Sequence, residues 1–141
     1  RISGFQEACD AVDGLTARTL AVQKGDSILD AAISEIMAQD NPPTALCFHQ
    51  DSQAIPLFFR LQRSGLSVPG DISVTGFDDS TFAKEAELTT VRQRPYDMAV
   101  DAAQKALALI EGQPIEEPFE TFPVQLQVRN STAKPRTAPL L

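Results

Sequence analysis

The chain has 141 residues, 43% of them hydrophobic and 22% charged, a balance that fits a packed globular piece and excludes disorder. Its formal net charge is −7 and its 12 basic residues are scattered, so the acidic surface repels phosphate backbones and this piece alone is not expected to bind nucleic acid. No apolar run approaches the length of a membrane span, no signal peptide is visible, and two cysteines without metal-ligand spacing read as reduced thiols of a cytoplasmic protein.

Apolar spacing at Ile2, Phe5, Ala8, Cys9 and Val12 predicts a helix over residues 1–12, with Gly14 as its stop signal. Arg1 opens directly into that helix with no cap or leader, so the chain is expected to be a fragment. Residues 19–23 read as a strand and Lys24-Gly25-Asp26-Ser27 as a turn. Helical spacing returns over 28–39 and ends at Asn41-Pro42-Pro43. Thr44 to Phe48 is a buried strand, Gln50-Asp51-Ser52 breaks it, and residues 53–63 are helical, with Pro56 near the first turn. Gly65 stops that helix. A Val68-Pro69-Gly70-Asp71 turn leads into a strand from Ile72 to Phe77, followed by Asp78-Asp79. Thr89 to Arg92 is a short strand, 96–111 the longest helix, Phe119 to Val128 a strand buried on one face, and the remainder a Pro- and Thr-rich tail.

Short apolar strands alternating with helices imply an α/β fold, a parallel sheet flanked by helices. Ligands of such sheets sit at the carboxyl ends of the strands, near a switch point. That places candidates at Gln23 to Ser27, His49 to Asp51, Asp78 to Thr81, and Gln93. Asp51 reads as a helix N-cap, and Gln50 divides evenly between a pocket and a surface role. Two adjacent carboxylates repel, so Asp79 is read as a cap and Asp78 as an acceptor for a hydroxyl- or amine-bearing ligand. By itself Arg1 reads as solvated charge, and His49 as a rim or core histidine. No catalytic His, G-x-S-x-G, phosphate-cradling loop or C-x-x-C is present, so neither an enzyme nor a cofactor or metal is expected. The apolar stripe Ile55, Phe58 and Phe59 divides between core and a subunit seam.

Gly65-Leu66-Ser67-Val68-Pro69-Gly70-Asp71-Ile72-Ser73-Val74-Thr75-Gly76-Phe77-Asp78-Asp79 resembles the "GL.VP.DISV.GFDD" signature of the lactose-repressor/galactose-repressor family. Arg1-x-x-Gly4-Phe5, Pro43-Thr44-Ala45 with Asp51 and Ala54, Leu88 to Gln93 ("LTTV.Q"), and Arg129-x-Ser131-Thr132 with Pro135 ("R.ST..P") are similar to further family motifs in the same order. The resemblance implies a periplasmic-binding-protein-like (type I) sensing module of two subdomains. An effector, a sugar or nucleobase-like metabolite, would be clamped between them in a homodimer. Operator DNA would be read only by an N-terminal helix-turn-helix absent from this chain, with no membrane partner. Residues 1–93 would form most of the C-terminal subdomain, 94–118 a crossover helix of the N-terminal one, 119–133 a return strand, and 134–141 a tail.

Carried over by resemblance, the effector contacts are Arg1, Gln50, Asp78 and Gln93, with Ser27 and His49 at the pocket rim and Ile55, Phe58 and Phe59 at the dimer interface. Ser27 stands where the family usually has an aromatic ring, which removes a stacking surface. Gln50 stands where Asn or another small polar residue is common. The rivals are a periplasmic sugar-binding protein of a transport system, against which the "R.ST..P" tail and the "VPGDISV" block speak, and an α/β enzyme, for which no acid/base constellation is found.

Overall fold

The computed structural model of the chain describes residues 1–20, 31, 33–35 and 37–137. The expected strand over 19–23, the turn with Ser27, and the helix over 28–39 fall wholly or partly outside these residues. The chain divides into two compact units, one carrying Arg1–Pro43 and the other Thr44–Thr137.

In the first unit, helix α1 runs Ile2–Asp10, with Arg1 at its N-cap position and no side-chain cap bond. Gln6 Nε2 donates to Asp10 Oδ1 at 2.8 Å, one turn apart on the exposed face.

The second unit follows the expected order. Strand β1 (Ala45–Cys47), helix α2 (Asp51–Arg63), strand β2 (Ser73–Thr75), helix α3 (Thr81–Glu85), strand β3 (Thr90–Arg92), helix α4 (Pro95–Ile110) and strand β4 (Gln125–Gln127) succeed one another. Strands β1 and β2 pair in parallel, Leu46 opposite Val74. A parallel bridge joins Thr75 to Thr89 at the entrance of β3. The expected parallel arrangement therefore holds for the strands whose tips carry the candidate site. It does not hold for β4, which pairs antiparallel with β3, Arg92 opposite Gln125. After α4 the chain comes back along the strand by which it left, and so meets β3 in the opposite direction.

The core lies where α2 covers the parallel strands. Ala54, Leu57, Phe58 and Leu61 of α2, at spacings of three and four, are buried with Ile72, Val74, Ala83 and Leu88. Pro56 is inside α2 without breaking it. Described residues of the tail expected after Asn130 are tied to the sheet. The Val74 N–H donates to the Ser131 carbonyl at 2.9 Å, and the Ser131 hydroxyl donates back to the Val74 carbonyl at 2.6 Å. Arg136 donates to the Asp71 carbonyl at 2.6 Å. These bonds give β2 a neighbour on the side away from β1, and they satisfy backbone groups that burial would otherwise leave unpaired. Helix α4 contrasts with α2: none of its residues is buried, and Ile110 is 82% exposed.

Candidate functional site

The second unit brings three chain segments side by side at the carboxyl ends of β1, β2 and β3. The Phe48 N–H donates to the Thr75 carbonyl at 2.9 Å, and the Asp51 N–H to the Phe77 carbonyl at 2.8 Å. On the other side the Gly76 N–H donates to the Thr89 carbonyl and the Asp78 N–H to the Val91 carbonyl, both at 2.9 Å. The ladder thus continues beyond the strands and carries Gln50, Asp78 and Gln93 to neighbouring strand tips, as the ligand rule for parallel sheets requires.

Asp78 and Gln93 meet directly: Gln93 Nε2 donates to Asp78 Oδ1 at 2.8 Å. Asp78 is exposed, so its carboxylate retains acceptor positions facing outward. Its backbone is unusual. Asp78 has φ 117° and Asp79 φ 55°, a region that L-residues enter at a cost of about 1–3 kcal/mol. Two consecutive residues in that region turn the chain sharply and separate the two carboxylates. Gln50, half-buried, is the N-cap residue of α2, with extended backbone and no side-chain cap bond. His49 is exposed just before it. Arg1 belongs to the other unit, and Ser27 lies outside the described residues. The second unit therefore brings together Gln50, Asp78 and Gln93, with His49 at the edge.

Two sequence readings need correction. Asp51 is not the N-cap of α2; it is the first helical residue, and Gln50 holds the cap position. Its carboxylate crosses to the next loop, where the Ser80 N–H donates to Oδ2 at 2.8 Å and the Thr90 hydroxyl to Oδ1 at 2.6 Å. Nor does Asp79 cap α3. Ser80 does that, its hydroxyl accepting the Ala83 N–H at 3.2 Å. Asp79 is instead gripped by two guanidinium groups: Arg92 donates to Oδ2 at 2.5 Å, and Arg129 to Oδ1. Both buried carboxylates bond donors distant in sequence rather than their own helix termini, Asp51 to Ser80 and Thr90 and Asp79 to Arg92 and Arg129.

Burial pushes the Asp79 carboxyl upward, but the hydrogen bonds and charges of Arg129 and then Arg92 outweigh it and hold the group below its ordinary value. Among the described residues no buried side-chain nitrogen or oxygen lacks a partner, so this network closes on itself. Gly76 is required by the same geometry. A methyl on its Cα would overlap Asp51 Oδ1 and come within 2.9 Å of Leu88 Cδ2.

Sequence reasoning missed Thr90, Arg92 and Arg129 as members of this network. The available signal was a charge balance: a carboxylate placed between a buried strand and a helix needs cations, and Arg92 and Arg129 each follow an apolar strand residue.

The stripe on α2 is divided by the fold. Phe58 is buried and its ring stands edge-on to that of Phe59, with centroids 5.3 Å apart. Ile55 is half-buried and Phe59 is 48% exposed. Among the described residues no group of His, Cys, Asp and Glu is placed to hold a metal ion, and no helix is long and apolar enough to cross a membrane.

Residues 1–132 match the family described as periplasmic binding protein-like domain. An arabinose metabolism transcriptional repressor of Geobacillus stearothermophilus is 40% identical over 67% of this chain and 27% of its own length. The HTH-type transcriptional regulator GalR of Escherichia coli (strain K12) is 34% identical over 96% of this chain and 40% of its own length. The chain thus spans well under half of these relatives. Among solved structures, a LacI family transcriptional regulator from Bifidobacterium animalis subsp. lactis superposes with a TM-score of 0.82 at 27% identity, covering 96% of this chain and 50% of that one.

Proposed function

The chain belongs to the LacI/GalR family, as part of its periplasmic-binding-protein-like effector domain, and from that premise we propose that it senses a small polar effector for a cytoplasmic transcriptional repressor. The single observation that carries this reading is Asp78: a carboxylate at the tip of a parallel strand, held in a left-handed backbone, bonded to Gln93 and open on its outer side. Such a group accepts charge-assisted hydrogen bonds from sugar hydroxyls or from the N–H edge of a nucleobase. Gln50 and Gln93 complete the contact set within the second unit, with His49 at its rim.

Helix α4 and the segment to residue 118 belong to a second lobe that completes the site, and residues 119–133 return from it. An α4 that buries none of its own residues among those described supports this assignment. Ile55 and Phe59 form a homodimer seam, while Phe58 supports it from the core. Operator DNA is read by a helix-turn-helix outside this chain. The effector shifts the protein between two states by its unequal affinity for them, and by no more than that inequality. The relatives are transcription regulators, which favours this reading over a transport protein.

The test is a thermal-shift panel on the full-length protein with L-arabinose, D-galactose, D-glucose, D-ribose, cytidine, adenine and guanine, repeated with Asp78→Ala. A ligand-dependent rise in Tm that the variant loses supports the reading. Rises that are equal in both proteins remove Asp78 from the site.

A further inference from the structure

The carboxylate next to Asp78 faces inward, and both its partners come from distant parts of the chain. Asp79 is 9% exposed. Arg92 stands 13 residues downstream at the end of β3, and Arg129 stands 50 residues downstream, beyond β4. Arg129 is further fixed. Its Nη1 donates to the Leu88 carbonyl at 2.7 Å, and its own N–H donates to the Thr89 hydroxyl at 3.0 Å. Its guanidinium therefore bridges the start of β3 and the Asp78-Asp79 turn, held by the Leu88 carbonyl on one side and the Asp79 carboxylate on the other. A planar guanidinium bound in this way transmits orientation as well as charge.

The Asp78-Asp79 turn cannot hold itself. Both residues have positive φ, and a backbone of that kind persists only when its surroundings over-determine it. Four anchors do so: the Asp78 N–H on the Val91 carbonyl, the Ser80 N–H on Asp51, the Asp79 N–H on the Thr90 hydroxyl at 3.4 Å, and the Asp79 carboxylate on the two arginines. The first two fix the ends of the turn. The third holds the backbone at its middle, and the fourth fixes the direction of the Asp79 side chain and with it the backbone from which Asp78 projects, while Gln93 meets the Asp78 carboxylate itself.

We propose that Arg129, with Arg92, acts through Asp79 as a positioning device for Asp78, setting the orientation of the carboxylate offered to the effector without touching the effector itself. The inference rests on the reading of Asp78 as an effector contact. Arg129 is the decisive member, because Arg92 is 44% exposed at its side chain whereas Arg129 is 14%, and solvent weakens the Arg92 contribution.

The experiment has a structural and a binding arm. In the first, the 141-residue chain is labelled for NMR, and the Gln93 side-chain amide and the Asp78 amide and carboxyl signals are recorded in wild type, Arg129→Leu, Arg129→Lys and Asp79→Asn. Leu61→Ala, which truncates a buried side chain in the last turn of α2, serves as a destabilised control outside the clamp. The expected result is displaced Asp78 and Gln93 signals in Arg129→Leu and Asp79→Asn, partial restoration in Arg129→Lys, and native signals in Leu61→Ala. Native Asp78 and Gln93 signals in folded Arg129→Leu overturn the proposal. Should that variant fail to fold, Asp79→Asn and Arg129→Lys are read by the same criterion.

In the binding arm, the panel compound giving the largest Tm rise is titrated into the full-length variants. A loss on the order of tenfold is expected for Arg129→Leu, the scale reported when groups behind a metal ligand are removed. If Asp78→Ala weakens binding and Arg129→Leu does not, the positioning role is wrong and the effector reading stands. If Asp78→Ala leaves binding unchanged, the effector reading fails, and the proposal built on it fails with it.

Discussion

Replacing Gly76 with alanine puts a methyl group where the Asp51 carboxylate stands, with Leu88 Cδ2 only 2.9 Å away. Neither neighbour can step aside freely. Leu88 is fully buried, and Asp51 is held by the Ser80 N–H at 2.8 Å and the Thr90 hydroxyl at 2.6 Å. A hydrogen bond to a charged acceptor contributes about 1.5–3 kcal/mol, so displacing the carboxylate from both donors costs about 3–6 kcal/mol. Backbone relaxation recovers part of this, and the net loss is expected at about 3–5 kcal/mol, in the range of severe core lesions. The chain has no Trp, so urea unfolding is best followed by far-ultraviolet circular dichroism. The coupling is read from a second background: in Asp51→Ala the carboxylate is gone, and the further cost of Gly76→Ala should fall by more than about 1 kcal/mol. A single-variant loss below about 1 kcal/mol, or an equal loss in both backgrounds, would refute the assignment of Asp51 as the group that dictates glycine there.

Other substitutions probe the network and its surroundings. Asp79 has a lowered folded pKa, so its ionisation contributes stability that is complete above about pH 5 and is lost as pH falls through the folded value; the stability gap between wild type and Asp79→Asn should be flat near neutrality and shrink below about pH 4, as acid titration in fixed urea would read. Ser131→Ala removes the donor to the Val74 carbonyl and the acceptor of the Thr89 N–H, and with two buried backbone groups affected a loss of about 2–4 kcal/mol is expected in the same melts. Gly4 lies inside α1 with open space around its Cα, so Gly4→Ala should stabilise that helix by about 0.5–1 kcal/mol, visible as increased helical dichroism at intermediate denaturant. Phe59 is 48% exposed on α2; Phe59→Glu should weaken the proposed homodimer of the full-length protein about tenfold or more, since burying one such side chain is worth about 1.5–3 kcal/mol, and sedimentation over a concentration series measures it.

How far the sequence could be read depended on the kind of interaction involved. Helices α2 and α4 announce themselves by their apolar spacing, β1 by a continuous apolar run, and β2 by the turn residues that bracket Ile72 to Phe77. The antiparallel return of β4 and the pairing of Ser131 with Val74 were not legible. The tail is polar and Pro-rich, and its order comes from hydrogen bonds to a sheet edge that no local pattern encodes. The site divides in the same way. Asp78 and Gln93 were found from strand ends and from the "GFDD" and "LTTV.Q" blocks, and they do meet. Asp51 and Asp79 were recognised as structural but given the wrong partners. A capping role is a short-range inference, whereas their true partners lie 13 to 50 residues away. Long-range polar pairing leaves no periodic trace.

Isothermal calorimetry on the full-length protein, wild type against Asp78→Ala and titrated with the panel compound that raises its Tm most, tests the central claim most directly. Loss of a charged hydrogen bond to the ligand predicts an affinity lower by about 1–3 kcal/mol, roughly five- to 150-fold, in a variant whose own melting is little changed. An undiminished affinity would contradict the claim that this strand-tip carboxylate receives the effector.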